Sequence, residues 1–475
     1  MKRRLVVAAA ALILARAGLA ADKQSLPKDL PPYGAMKQLA APHVTVVKLD
    51  NGLTVWLVPE AGFPKVAVTL AIRGGYTADP KDRPGFADLI AATVTQGTRN
   101  RNAKQVAEDL QAAGGDLAGS ATPDSILIET SVLSSKADAA LQILADVMQQ
   151  ATFADQEVAI AKSNLSSALQ ANEADPSFLG RRALYRALFG QHPYAITSPT
   201  EETITKTTAA DLRGEYARRF RPDRALLIAV GDFSEQSLLA AIRASFTVWK
   251  SGGAAAPGEA SPIDAGKPAS LVSRAIVYVP RANSVQTALY LGTLGPNRSA
   301  PDYAAARVGN ALYGGMFGSR LVNNIREDKG YTYSPGARLT LNRDAGVLVT
   351  RADVRNPVTG ASFNEITYEM NRMATTAPDT DEVDRAKRFV LGSLALQLQS
   401  RAGVARQLAN LWIDSLPPEE LALQAQKIEK VTPQDIQAAG RKYFPAWRMT
   451  VVAVGEEQVI KDELAPFGLE FQKAP

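Results

Sequence analysis

The chain has 475 residues, 46% hydrophobic and 21% charged, an ordinary globular composition with apolar sequence for sizeable cores and length for two or three domains. Its formal charge is +5, but Lys2, Arg3, Arg4 and Arg16 carry four of those charges, so the remainder stands near neutrality at +1, which argues against a nucleic-acid partner. With no cysteine, disulfides and thiol chemistry are excluded.

Residues 1–20 read as a secretory signal: a basic Lys2-Arg3-Arg4 start, an apolar Leu5–Ala15 run too short for a permanent anchor, and a small-x-small Gly18-Leu19-Ala20 cleavage site. No later stretch is apolar enough for a membrane helix, so a periplasmic protein without a membrane anchor is expected. Residues 21–42 form a polar arm punctuated by Pro27, Pro31, Pro32 and Pro42.

Strand patterns begin at Val44–Leu49, turn at Asp50-Asn51-Gly52, return over Leu53–Val58 and continue at Val66–Arg73. Helices are predicted over Phe86–Gln96, with Phe86, Leu89, Ile90 and Val94 inward, and over Ala103–Ala113. A strand at Ile126–Val132 precedes amphipathic helices at Ala137–Met148, Asp155–Ala171 and Phe178–Leu188, with Asp175-Pro176 as the breaker. His192, beside Pro193, is read as a structural hydrogen-bonding group, since the other histidine, His43, is remote and no partner ligand is in sight.

One design occurs twice. Thr208 and Asp211 open a helix, and a buried strand over Ala225–Val230 ends at Gly231. Thr432, Pro433 and Asp435 open another, and a strand over Met449–Val454 ends at Gly455. This matched spacing predicts two copies of one fold, at 43–250 and 271–475. The Gly/Ala/Pro/Ser-rich segment 251–270 lies between them as a linker.

The second copy reads as strands at Arg274–Val279 and Val285–Leu291, a helix at Tyr303–Leu312 and a Gly-rich bend at Gly314–Gly318. Ser319–Ser334 follows, with the sequence SRLVNNIREDKGYTYS. Here Ser319 caps a helix, Leu321 and Ile325 face inward, Arg326 occupies the last turn, and Gly330 reverses the chain. Tyr331 and Tyr333 are placed on one face of a following strand. A strand at Gly346–Val354 and helices at Ser362–Met373 and Asp381–Gln399 complete it, with Ser415–Pro418 separating two more helices.

Two segments carry a resemblance. Gly74–Thr98 resembles the zinc-site segment of the pitrilysin/insulinase-like peptidases (M16, inverted zincins), in which a Gly-rich turn leads into a helix bearing His-x-x-Glu-His. Gly85-Phe86-Ala87 and Gly97-Thr98 keep that frame. Asp88 stands at the first His, Ala91 at the Glu and Ala92 at the second His. The third ligand, a Glu further along, falls at Ser167-Ala168, so Ala168 is also empty of donors. Ser319–Tyr333 is similar to the family's second motif, Ser-Arg-Leu followed by Arg-Glu-x-x-Gly-x-x-Tyr, and the pair implied by it is Arg326 and Tyr333.

Over residues 40–460 the resemblance implies an α+β fold of two homologous domains. Each is a mixed β-sheet with helices packed on it, and together they form one half of a clam shell. It implies a non-catalytic, substrate-binding subunit with no metal or cofactor of its own. A paralogous partner with an intact zinc motif would supply the metal, and Arg326 and Tyr333 would hold the peptide substrate and meet the oxyanion. A peptide-binding or assembly scaffold without hydrolysis, and a stand-alone metallopeptidase with a rebuilt site, are the rival readings.

Overall fold

The computed structural model describes residues 42–250 and 275–474. The expected signal at 1–20, the arm except Pro42, and the linker at 251–270 lie outside the described residues. Among the described residues no helix is long and apolar enough to cross a membrane.

The fold is α+β, with two six-stranded mixed sheets. The first half contributes β1 (Thr45–Lys48), β2 (Thr54–Pro59), β3 (Lys65–Arg73), β4 (Leu117–Ala121), β5 (Ser125–Leu133) and β6 (Ala225–Gly231). The second contributes β7 (Ala275–Pro280), β8 (Gln286–Gly295), β9 (Gly336–Thr340), β10 (Gly346–Arg355), β11 (Thr450–Gly455) and β12 (Glu470–Lys473). Their orders, β1-β2-β6-β3-β5-β4 and β12-β7-β11-β8-β10-β9, match strand for strand except at one edge. There the first sheet adds the antiparallel β1 of the opening hairpin, and the second adds the parallel β12 from the chain's end.

The repeat extends to individual atoms. Thr208 N donates to Asp211 Oδ2 at 2.9 Å and Asp211 N to Thr208 Oγ1 at 3.2 Å; Thr432 and Asp435 show the same two distances. Both are capping boxes that satisfy otherwise orphaned amides at a helix start. Each capped helix leads into the buried strand of its sheet, β6 or β11.

Strand β6, ALLIAVG, is buried at all seven positions. A strand with no polar face must be covered on both sides. Its Leu227 and Ala229 pack on helices of their own half, including Leu141, Leu144 and Ile242. Leu226, Ile228 and Val230 instead meet Val404, Ala405, Leu408 and Ala409 of the Arg401–Ile413 helix, which comes from the second half of the chain. The reciprocal holds for β11. Val452 and Val454 pack against Ala183, Leu184 and Leu188 of the Pro176–Phe189 helix, contributed by the first half. The halves thus exchange helices, and the described residues belong to a single compact unit.

Several boundaries differ from expectation. The helix at Phe86 ends at Thr93 rather than Gln96, where Thr93 Oγ1 bonds back to the Leu89 carbonyl at 2.5 Å and competes with the backbone ladder. Strand β4, LAGSA, carries too little hydrophobic alternation to be read from sequence. The helix from Tyr303 is α only to Asn310 and continues as a π-turn over Ala311–Gly315. No strand forms at Tyr331–Tyr333: Tyr331–Pro335 is irregular, with a single bridge between Thr332 and Val354, and β9 begins only at Gly336. Tyr331 and Tyr333 therefore do not share a strand face. Thr332 ties that segment down by donating its hydroxyl to the Asp353 carbonyl at 2.6 Å.

Candidate functional site

In the first half, the Phe86–Thr93 helix buries Phe86, Leu89, Ile90 and the following Val94 completely. At the positions where the resemblance asks for metal ligands and a base, only Asp88 has donor atoms. Both its oxygens accept from the Tyr76 hydroxyl at 3.1 Å, and burial pushes its carboxyl up to about 6. Ala91 is buried and Ala92 half-buried on the same helix, while Ala168 is exposed on the Asp155–Glu173 helix. Methyl groups donate nothing to a cation, so these residues do not fit zinc. Among the described residues no group of three or more His, Cys, Asp or Glu could hold a metal ion.

A buried polar network occupies this region instead. Arg219, wholly inaccessible, donates to Asp79 Oδ1 at 3.0 Å, to the carbonyls of Ala78 and Gly75 at 2.9 and 3.2 Å, and to Glu215 Oε2 at 3.1 Å. Asp79 also accepts the Ala87 amide at 3.0 Å, which fastens the helix start. Burial pushes the Asp79 carboxyl upward, and the Arg219 guanidinium pulls it back. Sequence reading missed this network because Asp79 and Arg219 are 140 residues apart. His192 accepts the Tyr194 amide through Nδ1 at 3.1 Å and caps a short turn.

The second half presents the Arg/Tyr motif. Ser319 is buried and caps the turn at Arg320–Val322 by accepting the Val322 amide. Arg320 is anchored to Glu382 by bonds of 2.9 and 2.5 Å, and Leu321 and Ile325 are fully buried. From Asn323 to Asp328 the backbone is a π-helix. Two π segments, this one and Ala311–Gly315, bracket the loop bearing Phe317; such segments are rare and concentrate at functional sites. Gly330, at φ +62°, closes the turn: its amide bonds to the Arg326 carbonyl and that of Tyr331 to the Ile325 carbonyl.

Arg326 emerges between two exposed rings. Its Cζ lies 4.8 Å from the Phe317 centroid and 4.7 Å from that of Tyr333, and its Nε is 3.2 Å from Glu327 Oε1. Tyr333 is 80% exposed and Phe317 65%. Arg326 also lines a cavity of about 950 Å³ whose lining includes Phe178, Arg181 and Tyr185 of the helix exchanged from the first half. Gly180 lets that helix sit against β8, since a methyl there would lie 2.2 Å from the Tyr290 ring. The arrangement offers a permanent cation, an exposed phenol and aromatic faces beside a groove, groups suited to gripping a polypeptide and donating to an oxyanion. Phe317 escaped sequence reading, although a large aromatic among Gly314, Gly315 and Gly318 was its signal.

Residues 55–200 match the family described as insulinase (peptidase family M16), and residues 206–390 match the peptidase M16 inactive domain. An uncharacterized zinc protease of Rickettsia felis is 23% identical over 85% of this chain and 95% of that protein. A Helicobacter pylori protein named non-peptidase homolog YmxG is 24% identical over 78% of this chain and 85% of its own length. Among solved structures, a peptidase M16 inactive domain from Pseudomonas fluorescens superposes with a TM-score of 0.80 at 25% identity, covering 87% of this chain and 98% of that one. A protease from Helicobacter pylori shares the fold with a TM-score of 0.79 at 18% identity, covering 88% and 100%. The chain belongs to the insulinase-like peptidase family M16, and its stretch that resembles the family's zinc-site segment carries Asp88, Ala91 and Ala92.

Proposed function

We propose that this chain is the non-catalytic, peptide-holding subunit of a heteromeric M16-type zinc peptidase. The observation that carries the reading is the contrast between its halves. The segment that should bind a metal has an engaged aspartate and methyl groups, whereas Arg326, partly exposed, lines a cavity and stacks on the exposed Tyr333 ring. A paralogous partner with an intact zinc motif would supply the metal and the general base. This chain's residues bind and orient the peptide and meet the developing oxyanion together: Arg326 by charge-assisted hydrogen bonds, and Tyr333 by one directed O–H donor. The signal-like leader supports a periplasmic location.

The test is a peptidase assay on this chain, on a zinc-motif paralogue from the same genome, and on their mixture. Activity is expected in the mixture well above the sum of the separate chains. The name of the Helicobacter pylori relative favours a second reading, a peptide-binding or assembly protein that takes no part in hydrolysis. A mixture no more active than the paralogue alone, with peptide still bound by this chain, selects that second reading.

A further inference from the structure

The cavity beside Arg326 concentrates positive charge. Its walls bring together Arg181 from the exchanged helix, Arg326 from the π-turn, Arg338 from β9 and Arg351 from β10. One acid, Asp175, lines it as well, but its Oδ1 already accepts the Ser177 amide and hydroxyl, both at 2.8 Å. Arg351 is held by Asp353 at 2.6 Å, and Arg326 leans on Glu327. Arg181 and Arg338 are exposed, and among the described residues neither has a carboxylate within ion-pair distance; Arg181 lies over the Phe178 ring at 5.9 Å.

Asp353 and Glu327 thus pair two of the four guanidinium groups and Asp175 stays ionised, which leaves Arg181 and Arg338 as the unpaired charge of the lining. Charge of one sign gathered in a cleft with low-dielectric walls focuses its field and draws in the opposite sign. Guanidinium forks match carboxylates two bonds at a time.

We propose that this cavity selects peptides by a carboxylate, carried on an acidic side chain or at a free C-terminus. The proposal rests on the peptide-holding reading above and adds the charge class to it.

The test uses C-terminally amidated peptides labelled with an uncharged dye, identical except that Glu, Gln or Lys fills the same positions. Binding to the full chain is read by anisotropy at low and high salt. The Glu peptide should bind roughly tenfold or more tightly than the Gln peptide at low salt, and the gap should shrink as salt screens it. A Gln peptide with a free C-terminus shows whether the terminal carboxylate is the group recognised. The double variant R181Q/R338Q, at two exposed positions, should narrow the discrimination to about twofold, with its melting curve as the folding control. Equal binding of the carboxylate-bearing and neutral peptides, a preference for Lys, or full discrimination in the folded double variant overturns the charge assignment and leaves peptide holding intact. Failure of every peptide to bind removes the peptide-holding reading, and this one with it.

Discussion

Arg326 lies with its guanidinium 4.7 Å from the Tyr333 ring centroid although seven positions separate the two, because the π-turn and the left-handed Gly330 fold the chain back on itself. The stack fixes the cation's orientation while its edges and the phenol hydroxyl stay accessible. In the complex with a zinc-bearing partner, Arg326→Ala is expected to lower kcat by about 10²–10³, the usual cost of losing an oxyanion donor. Tyr333→Phe keeps the stacking face and removes only the hydroxyl, so a fall in kcat with little change in KM separates donation from positioning. Steady-state kinetics, with size-exclusion to verify assembly, checks both; unchanged kcat in both variants removes the role assigned to the pair.

The Asp88 carboxyl, raised from 3.8 to about 6 by burial, makes stability depend on pH. The folded state holds its proton more tightly than the unfolded chain. Below the unfolded value both states are protonated and Asp88 costs nothing; as pH rises through about 6 the buried group ionises and stability falls. Asp88→Asn keeps an acceptor for the Tyr76 hydroxyl and cannot ionise. It should stabilise the protein by about 1–3 kcal/mol at neutral pH, with the gain vanishing near pH 4. Urea unfolding of both proteins at several pH values measures it, and a gain that is the same at every pH would show that Asp88 does not titrate in this way.

Helix exchange predicts one cooperative unit. Leu184 is wholly buried against the second sheet, and Leu408 against the first. Either residue changed to Ala should cost about 2–5 kcal/mol. Because each helix belongs to one half and covers the other, both variants should shift the same transition. Tryptophan fluorescence, with Trp56 buried on the first sheet, and far-ultraviolet circular dichroism should report coincident curves. Two resolved transitions, with only one displaced by each variant, would contradict this.

Local chemistry made much of the molecule legible in advance. The Thr208/Asp211 and Thr432/Asp435 boxes and the apolar runs of β6 and β11 are written in adjacent residues, and there the expected helices and strands appear; the helix expected after Ser319 instead turns to π geometry at Asn323. Strand β4, mostly small residues, owes its place to pairing with β5 rather than to propensity. The sequence pattern likewise placed a strand at Tyr331–Tyr333, where tertiary contacts leave one bridge and an outward-facing phenol. That the helices at Pro176 and Arg401 cross to the opposite sheets depends on surfaces hundreds of residues apart. The assembly of Arg181 with Arg338 in one cavity likewise depends on residues from the two halves of the chain. No window of sequence contains either relationship.

The buried network at the start of the Phe86–Thr93 helix gives a sharper test of what holds that helix in place. Arg219 and Asp79 are both almost completely inaccessible, and the guanidinium satisfies four acceptors at once. Removing one member of a buried pair strands the other charge, which typically costs about 3–5 kcal/mol, whereas replacing both by neutral groups costs far less. Arg219→Met should therefore be strongly destabilising. Glu215 keeps Arg218 as a partner, so the charge left stranded is Asp79, and adding Asp79→Asn should recover more than half of the loss. The double variant retains an acceptor for the Ala87 amide and so preserves the helix start. Denaturant midpoints across the four proteins close the cycle. A double variant as unstable as the sum of the two single ones would mean that Arg219 acts through its carbonyl contacts and not through the aspartate.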